Sequence, residues 1–360
     1  MLQLQSISLV QFRNYVQQQF VFTQKVVGIC GLNGSGKTNL LDAIYYLSFT
    51  KSYFSRTDAQ NVHHGLAGMR LQGNYTLHQE PYSLVSILRE TNKKEFSVND
   101  EPYKKFSDHI GRFPCVMIAP DDIELIIGGS EERRRFIDTI LSQIDHQYLQ
   151  QLIAYNKVLQ QRNSLLKQAA EQGNIDEALL SVFNTQLSDK GQWLYQQRTQ
   201  FLETFLPLTL IFYQRIAGKL DAVAIAYESD LQHANLLQLL QSAQRKDMAL
   251  QRTTVGIHKD DIAITMGQSS FKNEASQGQR KSLLFALKLA EWQTIKQQKG
   301  FTPILLLDDV FEKLDELRMH NLLQWVCTAD DGQVFITDTH VSRLQQQLQA
   351  IDVPFQLIEL

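Results

Sequence analysis

The sequence predicts an α/β fold with a parallel sheet, an N-terminal antiparallel β subdomain and an inserted α-helical arm. Apolar strand patterns at "VVGIC" (26–30), "ILLLDD" (304–309) and "QVFIT" (333–337) are separated by helical patterns, as in a parallel sheet. Residues 68–120 contain alternating runs typical of antiparallel strands. Residues 129–250 are rich in Gln and Leu and place apolar residues at helical spacing, which indicates long packed helices.

The predicted domain boundaries follow from a change in composition and in the spacing of apolar residues near residue 128. Residues 1–128 and 251–360 are expected to form the two parts of one head, and residues 129–250 the arm inserted between them. The arm begins at "SEERRRFID" (130–138), which opens with a serine cap and acidic residues in its first turn.

Composition and cysteine usage bound the class of protein. The 360 residues carry a net charge of −3, so a nucleic-acid binder of this composition must concentrate its basic residues on one face. Cys30, Cys115 and Cys327 are scattered in apolar stretches, which favours small buried hydrophobes in a reducing compartment. No signal peptide and no apolar run of about 20 residues is visible. We therefore expect a cytoplasmic protein without a membrane partner.

A phosphate-binding motif follows the first buried strand. "GLNGSGKT" (31–38) matches G-x-x-x-x-G-K-[ST] and opens a helix, so it predicts ATP and Mg²⁺ as cofactors. Its glycines let backbone N–H groups approach phosphate oxygens, Lys37 reaches the β- and γ-phosphates, and the Thr38 hydroxyl ligates Mg²⁺. A glycine-rich turn that only starts a helix is the alternative. The nucleotide-binding residues predicted here are Gly31, Leu32, Asn33, Gly34, Ser35, Gly36, Lys37 and Thr38.

The apolar strand in "PILLLDDVFEKLD" (303–315) ends in two carboxylates, Asp308 and Asp309. Ionised groups at the end of a buried strand are costly without a cation, so Asp308 is predicted to join Thr38 as an Mg²⁺ ligand. Asp309 is predicted to orient or deprotonate the attacking water, which makes Lys37, Asp308 and Asp309 the candidate catalytic residues. Alternatively, both aspartates cap the following helix. Asp315 lies just beyond and has the same alternative as an N-cap.

An unusual helix start lies between these two motifs. Ser276 and Gln279 have the spacing of a capping box, which remains the simpler interpretation. The stretch "SQGQ" also resembles the signature motif of ABC-type ATPases, which closes over the γ-phosphate held by the P-loop of a second subunit. The resemblance implies that Ser276, Gly278 and Gln279 complete an ATP site in a dimer.

Seven blocks of this sequence carry a resemblance to one family. They are "FRNY" (12–15), "GLNGSGKTNLLDAIYYL" (31–47), "APDDIELIIGGSEERRRFID" (119–138), "YNKVLQQRNSLLK" (155–167), "GIHKDDIAI" (256–264), "SQGQRKSLLFALKLAE" (276–291) and "LLLDDVFEKLD" (305–315). Along nearly its whole length the chain resembles the RecF family of bacterial recombination-mediator ATPases. The resemblance implies an ABC-type ATPase head, slow hydrolysis, an ATP-dependent homodimer on DNA, and work with RecO and RecR in loading RecA at single-strand gaps.

Some features depart from that pattern or stay open. The usual "GPHRDD" is "GIHKDD" here, so Ile257 and Lys259 replace Pro and Arg. His340 sits where a γ-phosphate-sensing histidine would, although an ordinary loop histidine is the simpler interpretation. Two other classes remain as alternatives. The ATPase subunit of a membrane transporter would need a coupling surface, and an SMC-like structural ATPase would need sustained heptads in residues 129–250.

Basic clusters provide candidate contacts to duplex DNA, single-strand gaps or junctions. Contacts to DNA phosphates require only positive charge along a groove. Alternatively, each cluster is part of an ordinary solvated surface that does not bind DNA. Two further groups, Lys104–Lys105 and Arg133–Arg135, share this pattern, and the arginine run could instead pair with nearby carboxylates. The DNA-binding candidates are Lys51, Arg56, Lys93 and Lys94.

Overall fold

The computed structural model describes residues 1–218, 221–309, 316–328 and 331–360. Asp315 lies outside the described residues. The strands are β1 (Leu2–Phe12), β2 (Tyr15–Val21), β3 (Val26–Cys30), β4 (Met69–Leu77), β5 (Glu80–Leu88), β6 (Lys94–Val98), β7 (Glu101–Pro102), β8 (Cys115–Ile118), β9 (Val223–Glu228), β10 (Asp261–Met266), β11 (Ser269–Ser270), β12 (Ile304–Leu307), β13 (Val334–Asp338) and β14 (Phe355–Glu359). The α-helices are α1 (Lys37–Phe49), α2 (Glu124–Ile127), α3 (Ser130–Ile144), α4 (His146–Gln172), α5 (Glu177–Ala217), α6 (Leu236–Leu250), α7 (Phe271–Glu274), α8 (Gln277–Lys299), α9 (Glu316–Thr328) and α10 (Val341–Ala350).

The chain divides into two compact units. The head unit comprises Met1–Ile123, Phe212–Leu220 and Gln277–Leu360, and the arm unit comprises Glu124–Ile211 and Asp221–Ser276. The sequence placed residues 251–276 with the head. In the structure they group with the arm, because β10 pairs antiparallel with β9 along its whole length.

A five-stranded parallel sheet forms one layer of the head unit, in the order β14-β3-β13-β12-β8. Every residue of β3, β12 and β13 is buried. Continuous apolar runs of this kind are typical of parallel strands covered on both faces, which is why these segments do not alternate. The sheet order puts the carboxyl ends of β3, β13 and β12 side by side.

Helix α1 lies between this sheet and a second, antiparallel one. The second sheet has the order β2-β1-β4-β5-β6-β7, which confirms the predicted N-terminal β subdomain. Helix α1 contacts β1, β4 and β5 on one side and β8 and β13 on the other. Because both of its sides are covered, the helix is buried almost all round instead of amphipathic.

A buried glutamine joins the two sheets of the head. Gln333 precedes β13, and its amide donates to the Leu4 carbonyl at 3.0 Å while its side-chain oxygen accepts from the Leu4 N–H at 2.7 Å. The register between β1 and β4 shifts between Leu4 and Ser6. The glutamine therefore hydrogen-bonds both the N–H and the C=O of Leu4, which lies beside this irregularity. Without a partner, these buried backbone groups would be costly.

The arm unit is built from α3, α4, most of α5, and α6, with a small sheet of order β11-β10-β9. Its interior includes the fully buried Arg162, whose guanidinium donates at 2.8 Å to Asp247, to Asn184 and to Thr253. A buried charge of this kind is tolerated only when it is paired and hydrogen-bonded. Long helices are thus present where the Gln- and Leu-rich pattern predicts them.

Two further expectations concern the state of the cysteines and the presence of membrane-spanning helices. All three cysteines are free and buried, as their apolar surroundings predict. Within the described ranges, no helix combines the length and the apolar character needed to cross a bilayer.

Candidate active site

The P-loop connects β3 to α1 at the carboxyl edge of the parallel sheet. The Lys37 ammonium donates to the carbonyls of Gly31 at 2.9 Å and Leu32 at 3.1 Å, so its charge lies inside the loop. Gly36 has a φ of 115°, a conformation that favours glycine. The Ser35 Oγ is buried and has no hydrogen-bond partner among the described residues. A buried unpaired hydroxyl, a lysine and a helix N-terminus together fit a triphosphate.

The "FRNY" turn supports the P-loop from behind. Asn14 donates from its amide to the Ser35 carbonyl at 3.0 Å, and the Tyr15 hydroxyl donates to the Gly36 carbonyl at 3.0 Å. Asn39, next to Thr38, donates to the Asn14 side chain at 2.7 Å. In the sequence this turn is visible only as part of the family resemblance, and its role in positioning the P-loop is not. The contacts join residues 21 to 25 positions apart, and no local pattern reveals them.

Asp308 lies opposite the P-loop threonine. The Thr38 hydroxyl is 2.9 Å and 3.0 Å from the two carboxylate oxygens, and the Thr337 hydroxyl is 2.9 Å from Oδ1. Burial raises the pKa of Asp308 to about 6, against the lowering effect of the two threonine hydroxyls. Hydroxyl and carboxylate oxygens are the ligands Mg²⁺ prefers, and a cation would stabilise this buried charge. Thr38 and Asp308 would therefore hold the ion, which when bound would neutralise charge on the transferring phosphate.

Asp309 and His340 flank this centre. The Asp309 N–H donates to Thr337 Oγ1 at 2.8 Å, and its backbone has a φ of 44°, a strained value for a residue other than glycine. Such strain is often found at functional sites, and here it accompanies the predicted catalytic position. His340 is exposed after β13, and its backbone N–H donates to Asp338 at 3.2 Å. His340 therefore lies at the same edge of the sheet as Asp309, and the predicted role of its ring in sensing the γ-phosphate stays a prediction.

The signature residues begin α8. Ser276 is exposed just before the helix, while Gly278 and Gln279 lie in its first turn and are half-buried. Ser276 is the last residue of the arm unit, and α8 belongs to the head unit. An exposed serine and a glycine at a helix N-terminus suit an anion delivered from outside the chain.

Helix α8 also carries a buried charged cluster that sequence analysis missed. Lys288 Nζ lies 3.2 Å from the Tyr53 hydroxyl, 3.4 Å from Asp122 and 3.8 Å from Glu291. The Asp122 carboxylate also accepts from the Tyr53 hydroxyl and from the Ala119 N–H. The available signal was Lys288 and Glu291 at i, i+3 within the otherwise apolar stretch "LLFALKLAEW".

Protonation of Glu291 balances the charge of this cluster. Burial, with a smaller contribution from Asp122, raises the pKa of Glu291 to about 7 against the lowering effect of Lys288. Burial lowers the pKa of Lys288, but Asp122 and Glu291 outweigh it and hold that pKa above its usual value. With Glu291 neutral, the cluster holds one cation and one anion in a site closed to water.

The four DNA-binding candidates differ in their surroundings. Lys51 and Arg56 are exposed on the segment after α1, and Lys93 is 73% exposed with Glu95 at 3.7 Å. Lys94 is instead engaged inside the head unit. Its ammonium donates at 2.8 Å to both Asp58 and the Thr50 carbonyl, so we remove it from the candidate surface.

Comparison with known proteins identifies the family. The sequence profile of the RecF/RecN/SMC N-terminal domain matches residues 3–356. A protein of Flavobacterium johnsoniae named DNA replication and repair protein RecF is 42% identical over 99% of both chains. The chain belongs to the RecF family. A protein of the same name from Phocaeicola vulgatus is 41% identical over 97% of this chain and 94% of the relative.

Solved structures place the fold in the same family. The structure described as the recombination mediator protein RecF with ATP in the RecFOR pathway has a TM-score of 0.87 at 30% identity, covering 95% of this chain and 93% of that one. An Smc head domain from Pyrococcus furiosus has a TM-score of 0.56 at 13% identity and shares the fold alone. The head is therefore of the ABC-like ATPase type that the motifs predicted.

The close approach of the FRNY turn to Gly36 leads to a prediction. A methyl group at Gly36 would lie 2.6 Å from the Asn14 amide nitrogen and 2.7 Å from the Tyr15 hydroxyl, at a φ of 115°. Gly36→Ala should abolish binding of a fluorescent ATP analogue in a titration. Gly300→Ala is the matched control, because its φ of 73° is also positive but its methyl meets no atom within 4 Å. Equal affinity of both variants would contradict the tight support described for the P-loop.

The buried glutamate gives a second prediction. The pKa of Glu291 is about 7 in the folded chain and near 4.5 ordinarily, so the folded state retains a proton that the unfolded state releases. The stability it contributes is complete below its ordinary pKa and is lost as pH rises through about 7. The wild type should therefore lose thermal stability between about pH 5 and pH 8 more steeply than Glu291→Gln, by at most about 1.4 kcal/mol per pH unit.

The test is the thermal unfolding midpoint across that pH range for wild type, Glu291→Gln and Glu101→Gln. Glu101 is exposed in the same unit, so its variant should follow the wild type. Parallel curves for the wild type and Glu291→Gln would show that Glu291 does not hold the extra proton.

Proposed function

We propose that this chain is an ATP-dependent DNA-binding protein of recombinational repair and replication restart. Membership of the RecF family along nearly the whole chain carries this proposal. In the proposed mode of action, an ATP-bound dimer sits on duplex or gapped DNA and, with RecO and RecR, helps to load RecA. The protein would act in the cytoplasm.

ATP serves mainly as a switch for dimerisation, and its hydrolysis is slow. Lys37 would bind the β- and γ-phosphates, Thr38 and Asp308 would hold Mg²⁺, and Asp309 would orient or deprotonate water. Asp309 is one methylene shorter than the glutamate usual at this position in ABC transporters. A shorter carboxylate reaches less far toward the attacking water, which supports a low rate of turnover.

The second half of the ATP site comes from another copy of the chain. Ser276, Gly278 and Gln279 would close over the γ-phosphate bound by the partner's P-loop. The exposure of Ser276 before α8 supports this arrangement, because an anion-binding helix start has to be accessible to the second subunit.

The basic segment after α1 provides the link between ATP and DNA. Asp42 of α1 accepts from Ser52 Oγ at 2.7 Å and from the Arg13 guanidinium at 2.7 Å. This buried contact fixes the segment that carries Lys51 and Arg56 to the helix that begins at the P-loop. Movement of α1 on binding nucleotide would therefore move Lys51 and Arg56, while the third proposed DNA-contacting cation, Lys93, lies on the connection between β5 and β6.

The proposal predicts that Ser276→Arg separates ATP binding from DNA binding. The long side chain should keep each signature from the γ-phosphate of the partner's ATP in both sites of the variant dimer, so that ATP no longer strengthens binding to a gapped duplex, while a single subunit still binds ATP. Fluorescence anisotropy at fixed salt, with and without ATP, measures this. Ser269→Arg is the control, since Ser269 is an exposed serine of the same unit. If ATP still strengthens DNA binding in Ser276→Arg, the site is not shared between two subunits. If the wild type does not bind DNA, the proposed function is wrong.

A further inference from the structure

A compact turn of the arm unit brings two exposed cations together. Residues 251–260 join α6 to β10. Within this turn, the Lys259 N–H donates to the Gly256 carbonyl at 2.8 Å. His258 Nε2 lies 3.2 Å from the Thr253 carbonyl. His258 is itself held by the Tyr155 hydroxyl at 2.8 Å. Burial lowers the pKa of Lys259, and the nearby charges of Arg252 and Arg134 lower it further.

Arg134 of α3 adds a third positive charge. Its guanidinium donates to the backbone carbonyl of Asp260 at 2.6 Å, directly beside Lys259 in the chain. Its two neighbours in the arginine run are differently placed. Arg133 forms an ion pair with Asp261, and Arg135 pairs with acidic residues of its own helix. The suggestion that this run pairs with carboxylates therefore holds for two of the three arginines.

The carboxylates around the turn form ion pairs with other arginines. Asp261 pairs with Arg133 at 2.7 Å, Asp260 with Arg198 at 3.2 Å, and Asp247 with Arg162 at 2.8 Å. Among the described residues, no carboxylate forms an ion pair with any of the three cations at the turn. Arg198 is shared between Asp260 and Asp138 of α3. Arg134, Arg252 and Lys259 are therefore the cations around the turn that have no ion-pair partner among the described residues.

Cations held close together create a positive potential that attracts an anion. The two cations of the turn are exposed, and their side chains make no hydrogen bond within the described chain. We propose that Arg134, Arg252 and Lys259 form a binding site for backbone phosphates of DNA on the arm unit. This inference rests on the proposed function and adds a second DNA contact to that of the head unit.

A phosphate ligand also accounts for the lysine at position 259. The family pattern "GPHRDD", which the stretch "GIHKDD" resembles, has arginine at that position. An ammonium group binds a phosphate as a point charge and does not need the two-pronged geometry of a guanidinium. A site for a phosphate backbone therefore tolerates the change, whereas a bidentate contact would not.

The test is the salt dependence of DNA affinity in the full-length protein with ATP. Anisotropy on a gapped duplex between about 50 and 200 mM salt gives the slope of log affinity against log salt, which falls by about 0.9 for each lost phosphate contact. We expect that decrease, per bound subunit, for Lys259→Ala and a larger one for the Lys259→Ala, Arg252→Ala double variant. Lys259→Arg should keep the wild-type slope. Lys167→Ala, which removes an exposed lysine elsewhere on the arm unit, should do the same.

Other results would overturn the inference in distinguishable ways. Wild-type slopes in both alanine variants, with normal wild-type DNA binding, would reject the phosphate site and leave the proposed function standing. Weaker binding of a fluorescent ATP analogue with an unchanged slope would assign the cluster to nucleotide and reject its role on DNA. A wild type that does not bind DNA with ATP would reject both.

Discussion

A carboxylate buried beside a phosphate-binding loop is the constraint on which the head unit depends. Asp308 is 3% exposed and lies within hydrogen-bond distance of Thr38, at the end of a strand next but one to β3. That approach requires a parallel sheet with β13 between the two strands, and it requires covering layers on both faces. Burial without a compensating cation is costly, and Thr337 and Thr38 offset only part of that cost. Binding of a cation at this carboxylate would therefore offset the remaining cost of its burial.

The elements around this carboxylate connect the parts that act together. Through Asp42, Ser52 and Arg13, α1 holds the basic segment after it. Through Tyr53, the same segment reaches Lys288 on α8, the helix whose first turn carries the signature residues. One short segment is thus anchored to the helix that starts at the P-loop and to the helix that starts at the signature. Its outward side carries the exposed Lys51 and Arg56.

Sequence predicts the parts of this site that are local and misses those that are made by distant contacts. The P-loop and the acidic strand end are short motifs whose spacing is set by phosphate and metal chemistry, so they could be read directly. The support from Asn14 and Tyr15 and the cluster around Lys288 join residues up to 235 positions apart, and only packing reveals them. Lys94 looked like a surface cation, but its ammonium is bound to Asp58 and Thr50. The assignment of residues 251–276 differed for the same reason, because pairing of β10 with β9 is not encoded in either strand alone.

A mixture of two inactive variants tests the central claim that each ATP site is shared between two copies of the chain. Lys37→Ala removes one half of the site and Ser276→Arg the other. Neither variant alone should hydrolyse ATP, but mixed subunits pair at random, and a mixed dimer contains one intact site. The account predicts recovery of about a quarter of wild-type hydrolysis in an equimolar mixture, since about half of the dimers would be mixed and each has one of two sites. No recovery on mixing, with both variants folded and Ser276→Arg still binding ATP, would contradict a shared site.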